Sequence, residues 1–219
     1  MPSQHTGTIQ IRAARLADGI SSSSKPNQAI LITDGWITSV GDQDAIQQQT
    51  PPGTKIIDLG TACITPGLID GHTHLSLAGD GRTYVEMFAD SDEMMVLTGM
   101  MNLQQHLAAG ITTIRDHGAR NKIGFTLKKG LARGYIAGPR LLTSGRPITC
   151  TGGHFHMCNE ISDGEEQMRR SVQRQYMKER IISKLWPREV VQKAQFLGWH
   201  LIQQKNCMRL CTKRITFTS

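Results

Sequence analysis

The chain has 219 residues, enough for one large domain or two small ones, and a formal net charge of +7 from 25 Lys and Arg against 18 Asp and Glu. No apolar run approaches the roughly 20 residues a membrane helix needs. The opening MPSQHTGTIQ lacks the charged start and apolar stretch of a secretory leader, so a soluble, cytoplasmic protein without a membrane partner is expected.

The charge is unevenly placed. Residues 1–176 hold 16 basic and 16 acidic side chains, and residues 177–219 hold 9 and 2, so the whole excess lies in the last 43 residues. Glycine breaks at the same point, with 21 of 22 before residue 177, and Trp186 and Trp199 both fall after it. A break this sharp marks a boundary or a basic tail. The five cysteines (Cys63, Cys150, Cys158, Cys207, Cys211) form an odd set without a CxxC pair, which fits reduced thiols better than a disulfide framework.

Residues 7–60 read as short strands. In QAILITDGWITSVGD, β-branched and apolar residues flank Asp34-Gly35, a strong hairpin signal because a type I′ turn needs positive φ at both central positions. TKIIDLG and ACITPGLID follow as further strands, and residues 1–62 form a small β-rich unit.

From about residue 63 the pattern alternates strand and helix. ITPGLID ends a strand. Asp90 and Glu93 stand three apart, as in a capping box, ahead of a helix whose Met94, Leu97, Met101 and Ala108 keep helical spacing and which Gly110 stops. ITTIRD is a β-branched strand, IGFTLKKGLARGYI a weaker helix and RLLTSG a third strand. Ser162 and Glu165 form a second capping box before EEQMRRSVQRQY. Such alternation predicts a parallel sheet covered by helices, with chemistry at the C-terminal ends of its strands. His72, His74, Asp116 and the ITCTGGHFH loop all fall there.

His72 and His74 are two apart, so on a strand they point to one side and can reach one ion. Neutral imidazole suits zinc and similar divalent metals. Asp70 is placed to support that strand end. Asp116 and His117 read as strand-end caps, with catalysis as the alternative. His154 and His156 read as loop histidines. Cys150, His154, His156 and Cys158 match no zinc-knuckle spacing. The basic tail lacks the aromatic interleaving of a nucleic-acid binder, so a nucleic-acid partner is not favoured.

TPGLIDGHTHL, entered through IIDLG, together with AAGITTIRDHGA and PRLLTSGRPITCTGGHFH, resembles the metal-dependent amidohydrolase superfamily in its imidazolonepropionase-like and prolidase-like branch, over roughly Ile9 to Tyr176. The resemblance implies an α/β fold: an N-terminal β-sandwich portion, then the first three βα units of a (β/α)8 TIM-like barrel, incomplete in residues 63–176. It implies His72 and His74 as ligands of one or two divalent metals, usually zinc. Asp70 and Asp116 become supporting residues and His154 a substrate-side residue. The reaction implied is hydrolysis of C–N bonds in amides, cyclic amides or small peptides, in a protein that can form a homo-oligomer.

The same resemblance implies a lysine ending the fourth barrel strand, histidines ending the fifth and sixth, and an aspartate ending the eighth that takes the proton from the attacking water. No such lysine-bearing strand follows EEQMRRSVQRQY, so the catalytic residues have no counterparts here. Codons for MKERIISKLWPREVVQKAQF and its continuation, read one nucleotide earlier with permitted synonyms, yield EGADYIKIMATGGSTKGSIPGMASYS and then TEELYAAVHKAHHLH, which carry the missing strand, lysine and Gly-rich loop. Residues 177–219 therefore read as an out-of-frame segment and the chain as a truncated, inactive, aggregation-prone fragment. A noncatalytic binding or regulatory module, or a basic-tailed nucleic-acid binder, are the alternatives.

Overall fold

The Asp34-Gly35 pair does what its residues predict. In the computed structural model, which describes residues 7–182, β2 (Lys25–Thr33) and β3 (Trp36–Asp42) run antiparallel across it. Asp34 (φ 50°) and Gly35 (φ 78°) are both left-handed. The expectations placed on the tail after Ile182 lie outside the described residues. The molecule divides into two compact units, which meet in the sequence between Gly67 and Leu68.

The first unit is one five-stranded sheet. β1 (Thr8–Leu16) lies at its centre, antiparallel to β2 and parallel to β4 (Lys55–Asp58) and β5 (Cys63–Ile64). Cys63 and Ile64 thus pair with Arg15 and Leu16 of this unit, although the sequence reading begins the second unit at residue 63. Successive side chains of a strand face opposite ways, and β2 shows both faces in use. Ala29 and Leu31 close over Ile46 of the short helix α1 (Gln43–Gln49), while Ile30 and Ile32 join Ile11 and Leu16 in a second cluster. The Asp42 carboxylate caps α1 by accepting from the Asp44 N–H at 3.0 Å. The second layer of a sandwich is not found among the described residues of this unit.

The second unit alternates strand and helix. β6 (Leu68–Thr73), β7 (Ile111–Asp116) and β8 (Arg140–Thr143) form a parallel sheet in that order. Each strand is followed by a long helix: α3 (Asp92–Ala108), α4 (Ile123–Ala132) and α5 (Glu165–Ile182). These are three successive βα units, with β6 and β8 as sheet edges among the described residues and Leu68 and Ile69 of β6 exposed. The core gathers Leu75, Met95, Leu103, Ile114, Ile123, Leu127 and Leu141. It joins Leu75, just after β6, to Ile114 of β7 and Leu141 of β8.

Two capping expectations are corrected, and one helix is added. A further helix, α2 (Tyr84–Ala89), precedes α3, opened by a capping box of Thr83 and Glu86. Asp90 ends α2, and the cap of α3 is Ser91, whose shorter hydroxyl reaches the Met94 N–H at 3.3 Å. The buried face of α3 carries Met95, Gly99, Asn102 and Leu103, whereas Met94, Leu97 and Met101 are exposed. Gly99 explains the offset. A Cβ there would sit 2.5 Å from a methyl of Leu127, so α3 turns its small residue to α4. Ser162 does not cap α5. Its buried hydroxyl bonds Ser171 Oγ at 2.8 Å inside the unit.

Candidate metal centre at the strand ends

His72 is the penultimate residue of β6 and His74 follows its end. Pairing between β6 and β7 is irregular between Asp70 and Thr73, so simple strand alternation does not place the two rings. They nevertheless lie together, centroids 5.5 Å apart and steeply inclined at 75°. Asp70 fixes the intervening backbone, its Oδ1 accepting from the His72 N–H at 3.0 Å. Its other oxygen lies 3.4 Å from Nε2 of His106 on α3.

The segment after His74 is held from two sides. Asn102, buried on α3, donates from Nδ2 to the carbonyls of Leu75 (2.8 Å) and Leu77 (2.9 Å). Asp116, at the C-terminal end of β7 and 1% exposed, accepts from the Leu75 N–H at 3.3 Å and from Thr143 Oγ1 at 2.7 Å. One carboxylate thus joins the ends of three consecutive strands. Burial pushes its pKa up, against the pull of the Thr143 hydroxyl and of the Leu75 and Gly118 N–H groups. Gly124 of α4 makes room for this pair. A Cβ there would lie 2.4 Å from Thr143 Oγ1 and 3.0 Å from Asp116 Oδ2.

The ring of His74 has a defined orientation. Its Nδ1 is 3.0 Å from the Gly118 carbonyl, which can only accept, so Nδ1 carries the proton and a neutral ring keeps its Nε2 lone pair free. A metal-ligating histidine is held in this manner, its second nitrogen tied to a carbonyl or carboxylate. Two neutral imidazoles are donors whose chemistry suits a divalent cation. Among the described residues no group of three or more His, Cys, Asp and Glu side chains is arranged to hold a metal.

His117 stands beside the pair. Its ring stacks on His72 with centroids 3.9 Å apart and planes within 6°. Burial and the nearby Arg115 charge hold it below the usual imidazole range, against the hydrogen bond to the Gly71 carbonyl.

The loop after β8 closes the other side. Phe155 lies 4.5 Å from His74, ring to ring, and also meets Tyr84, Phe88 and His154. It is 8% exposed and has a φ of 62°, unusual for so bulky a residue. The loop histidine His154 is exposed and packs against Tyr84 and Phe155 at the rim. The cysteines and histidines of this loop diverge: Cys158 is buried, Cys150 is exposed, and His156 Nδ1 bonds the Gly153 carbonyl. Sequence reasoning missed Phe155 and Asn102. No spacing marks an aromatic at positive φ, and an asparagine within a helix reads as surface.

Comparison with known proteins gives the family. Residues 63–196 match the model of the amidohydrolase family. The imidazolonepropionase of Mesorhizobium japonicum is 28% identical over 173 residues, covering 65% of this chain and 41% of its own. A crystal structure of a Xaa-Pro dipeptidase with bound methionine superposes with a TM-score of 0.66 at 21% identity, over 78% of this chain and 45% of that one. Molinate hydrolase is 30% identical with a TM-score of 0.55, over 64% of this chain and 30% of its own. The chain thus spans less than half the length of each of these proteins. A family match over more than half of the residues, coinciding with three βα units that carry paired histidines at a strand end, leads to one conclusion: this chain belongs to the amidohydrolase family.

Proposed function

We propose that these residues form the first-strand side of a metal-dependent amidohydrolase centre, with His72 and His74 as ligands of a divalent cation, zinc in the first instance. The observation that carries this is the hydrogen bond from His74 Nδ1 to the Gly118 carbonyl, which leaves Nε2 as the free ring donor, with the His72 ring 5.5 Å away centroid to centroid. When bound, the cation supplies Lewis acidity to a scissile carbonyl and acidifies the attacking water. This chain's residues supply position. Asp70 sets the backbone of His72, Asp116 and Asn102 set the segment behind His74, and Phe155 and Tyr84 exclude water on one side with His154 at the rim. The substrate class is amides, cyclic amides or small peptides, in a cytoplasmic setting without a nucleic-acid or membrane partner. No helix among the described residues is long and apolar enough to cross a membrane. The protein can also form a homo-oligomer.

The 219-residue chain is itself an inactive form on this reading, with residues 177–219 out of frame. The charge and glycine break at residue 177 and the shifted string with its lysine support it. The family match ends at residue 196, inside this segment, so the coding DNA decides between a real tail and an out-of-frame one. Sequencing codons 170–180 and restoring the earlier frame is the test. The restored protein is expected to hydrolyse amides with added zinc while the 219-residue chain does not. Zinc-dependent turnover by the latter, or coding DNA that excludes the shifted string, would contradict the reading.

A further inference from the structure

His117 is bound to β6 at two points that bracket His72. Its backbone N–H donates to the Thr73 carbonyl at 2.8 Å, and its ring Nε2 donates to the Gly71 carbonyl at 3.1 Å. Between those anchors its ring lies flat on that of His72, 3.9 Å away and within 6° of parallel. This geometry separates two roles. An imidazole lone pair lies in the ring plane, so an ion about 2.0–2.1 Å from a His72 nitrogen sits well out of the plane of His117. The two rings cannot ligate one ion as they stand, and Nε2 of His117 is already committed to Gly71.

We infer that His117 is a positioning residue that sets the ring plane of His72 by stacking, as the Gly118 carbonyl sets that of His74 by a hydrogen bond. This rests on the reading of His72 and His74 as metal ligands. An exposed imidazole at a strand end samples several χ1 and χ2 wells. A fixed aromatic face favours one of them, and a ligand already in position binds without that ordering cost.

The test uses the full chain in four forms: unsubstituted, His117→Ala, His117→Phe and His72→Ala. Zinc affinity is measured by calorimetry and cobalt(II) absorption spectra are recorded, with circular dichroism to confirm folding. His117→Ala is expected to bind zinc about fivefold to tenfold more weakly, the size of one aromatic contact, and to shift the cobalt bands. His117→Phe keeps a flat ring without the Gly71 bond and is expected to recover most of the affinity and the spectrum. Unchanged affinity in His117→Ala, or equal losses in the Ala and Phe variants, would overturn the positioning role. Zinc binding that survives His72→Ala undiminished would instead overturn the ligand assignment, and the positioning role with it.

Discussion

Thr143 Oγ1 donates to the buried Asp116 carboxylate at 2.7 Å, and this one contact ties the end of β8 to the end of β7. The same carboxylate receives the Leu75 N–H, so the segment behind the paired histidines depends on it. Thr143→Val removes the hydroxyl donor and leaves a buried carboxylate short of a partner. Stability is expected to fall by about 1–2 kcal/mol in urea denaturation.

Because burial raises the Asp116 pKa, Asp116 holds its proton more tightly in the folded than in the unfolded chain. Its contribution is therefore full below the ordinary carboxylate range and declines as pH rises through the raised folded pKa. Asp116→Asn removes that dependence. The stability of the variant relative to the natural chain is expected to improve as pH rises from 4 to 7, measured by denaturation at each pH.

Gly124→Ala sets two effects against each other. Alanine is favoured over glycine in a helix by about 1 kcal/mol, but its Cβ would lie 2.4 Å from Thr143 Oγ1. Overpacking of this kind costs about 1–3 kcal/mol, so net destabilisation is expected. Adding Thr143→Ala should relieve the clash, and a double-mutant cycle is expected to show strong coupling between the two positions.

Glu160, 3% exposed, pairs with Arg146 at 2.6 Å and Arg174 at 2.9 Å, joining the loop after β8 to α5. Glu160→Gln takes the charge from a buried carboxylate with two arginine partners and is expected to cost about 2 kcal/mol. A thermal melt measures the loss.

The thiols should differ in reactivity. Cys63 and Cys150 are exposed, whereas Cys158 is buried and its pKa is pushed up to about 11 by that burial. Alkylation of the native chain at pH 8, followed by mass spectrometry, is expected to label Cys63 and Cys150 and spare Cys158 until denaturant is added.

What the sequence made legible was local. Asp34-Gly35 fixes its own turn, and the β-branched ITTIRD run announces β7. HTH placed two imidazoles side by side even though an irregular strand end, rather than plain alternation, brings them together. What stayed hidden depends on packing across the chain. Gly99 facing Leu127 turns the buried side of α3 away from the Met94–Leu97–Met101 stripe. Ser162 trades a helix cap for a buried bond to Ser171. Asn102 and Phe155 reach the site through contacts 25 to 27 and 81 residues away, respectively, which no spacing rule relates.

The central claim, that His72 and His74 hold a divalent cation, is tested most directly by X-ray absorption spectroscopy of the zinc-loaded chain beside its His72→Ala/His74→Ala variant. The account predicts a nitrogen shell at about 2.0–2.1 Å with imidazole scattering in the natural chain, absent from the variant. The same spectrum from both would contradict it.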